Sequence, residues 1–421
     1  MDFDAVVVGA GAAGLAAAIF TLRHDPPARI AIVDGARRPG AKILVSGGSR
    51  CNVTNRVVSE KDFNGGRAAA IRTILRALPV SETVAFFAEL GVPLHEEPGG
   101  KLFPDSNRSR DVLDALLTEL NRLGGSVRSE HRVTAVRAAS GGFELDTSRG
   151  TLRAGCVMLA TGGLSLPKTG SDGAGLAFAR TLGHTIIPTT PALAPLLLDD
   201  GTPSSAVVSG VAAPVGLELE VDGRIATRIS GSMLWTHFGV SGPAALDLSR
   251  HWLRHSLNGA QPAVTATLQP EHTFETLDAA WQALGRRQPR ASLQTGLTTM
   301  LPASLATLVL DRQNLPPSRI LADLTREDRR ALVHTLLRWP VPITGSRGYN
   351  YAEATAGGVD LSEIDPATME SRRCPGLFLV GEMLDVDGRL GGFNFQWAWS
   401  SAMAGGRGLA RRSAANRRAA P

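Results

Sequence analysis

A short valine-rich run, Asp4–Val8, leads directly into GAGAAG, which sets Gly9, Gly11 and Gly14 in GxGxxG spacing. An apolar run of this length reads as a buried parallel strand. Ala12–Leu22 then reads as a helix ending before Pro26 and Pro27, and ARIAIVD as a second strand closing on Asp34. Strand, glycine turn, helix and strand in this order make a dinucleotide-binding unit. Gly9 permits the tight turn, Gly11 lets the backbone approach a pyrophosphate, and Gly14 lets helix pack on strand. Ala10, Ala12 and Ala13 belong to the same cofactor-binding turn. The helix N-terminus offers free N–H groups and partial positive charge. Asp34 lies about 20 residues beyond Gly14, where an acid accepts hydrogen bonds from a ribose 2′-OH. An acid there disfavours a 2′-phosphate and leaves NAD or FAD.

Two further apolar strands end in glycine turns. CVMLATGG closes on Thr161 and Gly162, and GLFLVGE closes on Gly381 and Glu382. Gly391 and Gly392 then precede Phe393, Asn394 and a helix expected over Asn394–Gly405. Turns of this kind near the start, middle and end of one chain predict a parallel sheet whose carboxyl ends line one long crevice. FAD needs that length. Glu382 is positioned to accept ribityl hydroxyls, and the helix N-terminus at Gly392–Asn394 to stabilise negative charge on the pyrimidine end of reduced flavin.

The stretch Ala41–Asn55, AKILVSGGSRCNVTN, is too irregular for a strand or helix face and too rich in functional side chains for a spacer. Gly47 and Gly48 allow close backbone approach, Asn52 supplies a fixed amide, and Lys42 and Arg50 supply charge for a phosphate or the flavin carbonyl edge. Only 4 lysines stand among 44 basic residues, and Lys42, Lys101 and Lys168 all fall in Gly/Pro-rich segments. Lysine there points to a compact ammonium. Lys168 reads either as a partner for an anionic substrate or nicotinamide phosphate, or as a surface loop charge.

Composition narrows the class. A length of 421 residues with 43% hydrophobic content suits two or three globular domains. No uncharged run of about 18 residues offers a membrane span. Asp2 and Asp4 precede the first apolar run, where a secretory signal carries Lys or Arg. Cys51, Cys156 and Cys374 are scattered, with no disulfide or zinc spacing, so no metal is expected and the reducing cytoplasm is the expected compartment. The net charge of +5 matches the five arginines in the tail RGLARRSAANRRAAP, which reads as a frayed terminus or an RNA-binding arm.

The segments KILVSGGSRCNVTN, KLFPDSNRSRDVLDALL, LATGGLSLPKTGSDGAGLAFARTLGH, WTHFGVSGPAAL, AEATAGGVDLSEIDPATMESR and GEMLDVDGRLGGFNFQWAWSSAMAGG resemble, in order, one bacterial family. It comprises NAD(P)/FAD-dependent oxidoreductases, including bile-acid-type flavin reductases and a ribosomal RNA dihydrouridine synthase; other members carry an aminoacetone oxidase family or flavoprotein label. The resemblance spans most of residues 4–406 and is weakest from Gln261 to Val341. It implies an α/β fold: a Rossmann-like FAD domain, residues 1–190 and 344–421, interrupted by an inserted domain, residues 191–343, with a β-barrel-like part and helices over about 271–339. VGLELEVDGRIATRI reads as two strands around Asp222–Gly223, and Phe274–Arg287 and Thr325–Arg338 as helices. Two positions depart from the family pattern. Ser49 stands where a third glycine is usual, and Ser232 where many relatives have glutamate.

The resemblance implies a flavin fed by NADH or NADPH docking transiently, with hydride passed to an acceptor. If that acceptor is an activated C=C, the adjacent carbon needs a positioned acid. Cys51 is one candidate, its thiolate stabilised by neighbouring Arg50; the alternative is a buried structural cysteine. His237, in WTHFGVSGP, is the other candidate acid; its alternative is an interdomain hydrogen-bonding residue. Trp397 and Trp399, two apart on a helix, face different ways and read as core. Three functions fit: C=C reduction with ribosomal RNA uridine or a small enone as acceptor, an amine-type flavin oxidase, or a non-catalytic FAD-binding protein.

Overall fold

The computed structural model describes residues 1–199 and 208–419. The chain forms two compact units, Met1–Pro191 with Ala352–Pro421, and Ala192–Tyr351.

In the first unit the Phe3–Val8 and Ile30–Val33 strands pair in parallel around the Ala12–His24 helix. Valine, isoleucine and alanine fill both strands because helices cover both faces, so every position from Ala5 to Val8 and Ile30 to Val33 is buried. The parallel run continues as Ser126–Arg128, Ile30–Val33, Phe3–Val8, Gly150–Leu159 and Leu377–Leu379. At its other end Gly150–Leu159 turns into an antiparallel meander with Gly142–Thr147 and Val133–Ala139. Smaller pairings join Ile186–Ala192 to Ala354–Val359 and Val386–Gly388 to Phe63–Gly65.

The last helix is much longer than the pattern predicts. It runs Phe393–Ala419 and packs against Ala12–His24. Small residues permit the close approach: a Cβ on Gly406 would sit 2.8 Å from the Phe20 Cβ. The basic tail is therefore not a free arm. Arg417 binds Asp25 at 2.5 Å and Asp4 at 3.1 Å, and Arg412 lies 3.8 Å from Glu370. Burying the apolar face of that helix brings Arg412 and Arg417 to acids of the same unit.

The second unit is built on a seven-stranded antiparallel sheet ordered Trp339–Pro340, Ala263–Thr267, Ala212–Val221, Arg224–Thr236, Gly239–Ser241, Leu196–Leu198 and Ile343–Ser346. Its pairing path has two distinct end strands where the sequence reading expected a barrel-like part. Asp222 and Gly223 both take positive φ, 50° and 76°, the geometry of a tight hairpin turn. The helices include Phe274–Arg287 and Arg326–Leu337; Thr325 caps the latter by accepting the Asp328 N–H at 3.1 Å. Trp281 and Leu277 anchor a separate apolar core. No helix among the described residues is long and apolar enough to cross a membrane.

Candidate functional site

Strand register brings three glycine turns together. Val8 pairs with Leu159, and Leu159 with Leu379, so the turns after these residues leave the same edge of the sheet. An added Cβ on Gly9 would lie 2.5 Å from the Ala160 oxygen, and one on Gly381 2.8 Å from the Ala13 Cβ. At Gly14 it would lie 2.0 Å from the Gly9 oxygen, which leaves room for hydrogen alone. Above Gly11 nothing lies within 4 Å. That open face adjoins a helix start with no side-chain cap and no acid in its first turn. Its unpaired N–H groups are free for an anion.

Asp34 closes the far side of this turn. Its Oδ2 accepts the Ala10 N–H and its Oδ1 the Ala36 N–H, each at 2.7 Å. Each oxygen keeps a further acceptor position for a sugar hydroxyl.

Ala41–Ser49 begins as helix and breaks at Ser46. Gly47, Gly48, Ser49 and Cys51 then take φ of 54°, 67°, 67° and 61°. Ser49 thus occupies a left-handed conformation that glycine adopts without cost, which explains why a third glycine is usual at this position. The crowded composition of this stretch reflects a chain reversal built from left-handed residues.

One expectation for this reversal is corrected. Arg50 does not stabilise a Cys51 thiolate: its guanidinium binds Glu97 at 2.6 Å and lies 4.2 Å over the Phe103 ring. Cys51 is fully buried, and burial pushes its thiol up to about 12 against a small opposing Ser46 hydrogen bond. Glu382, expected to accept ribityl hydroxyls, is already largely engaged. Its Oε1 accepts from Ser165 at 2.6 Å and Thr355 at 3.0 Å, and its Oε2 pairs with the Lys42 ammonium. One acceptor position is left on that carboxylate. Lys42 also donates to Ser165. The fully buried Thr355 accepts the Leu164 and Ser165 N–H groups at 2.8 and 3.0 Å. Lys42, Ser165, Thr355 and Glu382 therefore tie the reversal, the Thr161–Gly162 turn and the Gly381 turn into one network.

Asn52 is the residue whose chemistry is unfinished. Its Oδ1 is buried without a hydrogen-bond partner. A Cβ on Gly392 would lie 2.9 Å from that oxygen and 2.4 Å from the Thr54 carbonyl oxygen, so the Gly391–Gly392 turn passes tightly beneath it. Asn55 Nδ2 donates to the Gly391 oxygen at 3.0 Å, Gln396 accepts from Thr54 at 2.6 Å, and Trp399 donates to the Val53 oxygen at 2.9 Å. Trp397 and Trp399 are both buried. The Asn394 amide is spent on both backbone groups of Gly388 at 2.9 Å, and the Phe393 ring is fully buried. Those two residues shape the helix start, and their side chains are taken.

The expected acid His237 lies in the second unit. It is exposed in the turn between Arg224–Thr236 and Gly239–Ser241, with its ring edge-on to Phe238. Lys168 is exposed. Among the described residues no cluster of His, Cys, Asp and Glu could hold a metal ion.

Sequence reasoning missed a buried clasp in the first unit. His184 Nδ1 lies 2.9 Å from Glu363 and Nε2 2.8 Å from Ser371. This has the order of a nucleophile–base–acid relay, but Ser371 Oγ also accepts the Arg373 and Cys374 N–H groups and is 6% exposed. Its lone pairs are occupied, and the clasp is structural. No local pattern could signal it, because its members lie far apart in the chain.

A parallel sheet with a glycine cradle and an acid just after its second strand is the arrangement of a Rossmann dinucleotide-binding domain. Residues 3–408 match the family described as the HI0933-like protein Rossmann domain, and the chain belongs to that family. It is 34% identical to a ribosomal RNA dihydrouridine synthase of Escherichia coli strain K12 over 405 residues, 96% of each chain. It is 33% identical to a 3-dehydro-bile acid delta(4,6)-reductase of Clostridium scindens over 410 residues, 96% of this chain and 98% of that one. An E. coli quinol fumarate reductase structure shares the fold at TM-score 0.52 and 17% identity, covering 98% of this chain and 71% of that one.

Proposed function

We propose that this protein uses NADH or NADPH to reduce an activated C=C through FAD, with uridine of large-subunit ribosomal RNA as acceptor and dihydrouridine as product. The observation that carries the reading is the cradle of three turns in register, open above Gly11 and ending at the unpartnered Asn52 oxygen. These residues fit FAD: an anion site, a sugar acceptor and a buried acceptor for a ring N–H. The chemistry supplied by bound FAD is hydride transfer, from a nicotinamide and to a polarised double bond.

The amides that open the Ala12–His24 helix hold the pyrophosphate, and Asp34 holds the ribose. Asn52 would accept from the edge of the ring system, and the N-terminus of Phe393–Ala419 would favour negative charge there. The Lys42–Glu382 network fixes the two turns between. Cys51 is not assigned as proton donor, because burial pushes its thiol up to about 12 and it has no charged partner. The acceptor is assigned from the relatives named above, and the bile-acid relative makes a steroid enone the competing choice.

The test is anaerobic reduction of the purified protein by NADH and NADPH, followed by reoxidation with ribosomal RNA, a 3-oxo-Δ4 steroid or O2. Reoxidation by RNA with dihydrouridine formed supports the proposal, as does loss of that base from ribosomal RNA on gene deletion. Reoxidation by the steroid alone, or fast peroxide formation with an amine substrate, replaces it with an enone reductase or an oxidase. Absence of flavin reduction leaves a non-catalytic FAD-binding protein.

A further inference from the structure

The second unit carries a cation–aromatic stack that the cofactor site does not use. The Arg347 guanidinium lies 3.4 Å from the Tyr351 ring centroid and 4.4 Å from that of Phe238. His237 meets Phe238 edge-on, with centroids 5.1 Å apart. Tyr351 is 50% exposed, one of few large rings or aliphatic chains left so open.

The backbone builds this stack. Leu196–Leu198 lies between Gly239–Ser241 and Ile343–Ser346 in the sheet. Phe238 and Arg347 therefore flank the middle strand, and the long arginine side chain spans the gap. Leu198 N–H donates to the Phe238 oxygen at 3.3 Å, Arg347 N–H to the Pro195 oxygen at 3.0 Å, and Tyr351 N–H to the Gly348 oxygen at 3.1 Å. All three side chains leave backbone held by hydrogen bonds, so the backbone beneath the stack needs no ordering when a ligand docks. Among the described residues Arg347 forms no ion pair, unlike Arg50, Arg228 or Arg417. Its charge lies over both rings and has no carboxylate partner among the described residues.

Aromatic faces beside an unpaired guanidinium suit an unstacked nucleobase and its phosphate. A uridine inside a helix cannot be reduced until it leaves the stack, and a protein surface must then hold the opened strand.

We propose that Phe238, Arg347 and Tyr351 form a base-stacking platform for single-stranded RNA, with a base on the open Tyr351 face and its phosphate on Arg347. This rests on the RNA reading above and names the surface that recognises the substrate.

The test uses the full-length holoprotein and a fluorescein-labelled, uridine-containing single-stranded oligoribonucleotide of about 12 nucleotides, with its duplex as control. FAD content and circular dichroism report folding. Tyr351→Ala and Arg347→Ala should each weaken single-strand binding about tenfold or more. Tyr351→Phe, which keeps the ring, should bind as the native protein does. Arg347→Lys, which keeps charge but not the planar stack, should stay weakened. Native protein that fails to bind the strand, or binding unaffected by Tyr351→Ala and Arg347→Ala, overturns the platform. So does loss of steroid binding in the variants with RNA binding intact. The two proposals fail separately. Dihydrouridine formed equally well by Tyr351→Ala leaves the activity standing without the platform. Lost RNA binding in the variants, with no dihydrouridine made by the native protein, leaves the platform standing without the activity.

Discussion

Replacing Lys42 by methionine tests the network beneath the proposed cofactor site. The ammonium pairs with Glu382 Oε2 and donates to Ser165, with the two side chains 25% and 17% exposed. An exposed pair is worth about 0–1 kcal/mol, and breaking a fully buried one costs about 3–5 kcal/mol. At this partial burial Lys42→Met should cost about 2 kcal/mol, mainly because the Oε2 carboxylate oxygen loses its donor. Glu382→Gln should cost a similar amount by leaving the ammonium against a neutral amide. The double variant should lose little more than either single one, a coupling of about 1–2 kcal/mol. Urea unfolding followed by tryptophan fluorescence measures all four proteins, and flavin absorbance after desalting reports whether the turns still hold FAD. Single-variant losses that simply add in the double variant, with coupling below about 0.3 kcal/mol, would refute the pairing and the picture of joined turns.

Ser49→Gly should stabilise the protein by about 0.5–1 kcal/mol, because the exposed serine holds φ 67°, and an unchanged or lower urea midpoint would count against that strain. Alkylation of the native protein should leave Cys51 and Cys156 untouched, since burial pushes both thiols to about 12; mass spectrometry finding Cys51 modified before unfolding would show the site opens. Cys51→Ala should retain FAD and substrate turnover, and selective loss of turnover would restore its role as proton donor. Stability should fall as pH drops below about 6.5. Burial lowers the pKa of His184, so the folded state keeps it neutral while the unfolded chain takes up a proton. A second loss should follow between about 4.5 and about 2. Burial raises the Glu363 carboxyl, but hydrogen bonds from Thr185, Arg373 and His184 outweigh it and hold it at about 2. A flat pH–stability profile between 7 and about 4 would contradict the clasp.

Local patterns carried the cofactor domain. The glycine spacing before Ala12–His24, the acid at Asp34 and the two later strand-end turns are each readable within about ten residues, because sterics at a turn are local. The Asp222–Gly223 hairpin and the Thr325 cap were legible for the same reason.

What each polar side chain touches was not legible. Arg50 sits beside Cys51 in sequence, yet its nearest carboxylate comes from the Leu94–Glu97 strand. Glu382 waited on Lys42 and Thr355, and Arg417 of the tail waited on Asp4 and Asp25. Ser49 looked like an arbitrary departure until its left-handed φ gave it a physical cost.

The amino-acid sequence by itself determined the dinucleotide-binding unit, its glycine cradle and the family, since these rest on backbone sterics and short-range periodicity. Tertiary structure alone decided which charges are spent and which remain free. Asn52 is left unpartnered and Arg347 uncompensated because ion pairs and hydrogen bonds act over a few ångströms between segments hundreds of residues apart, and only folding sets those distances.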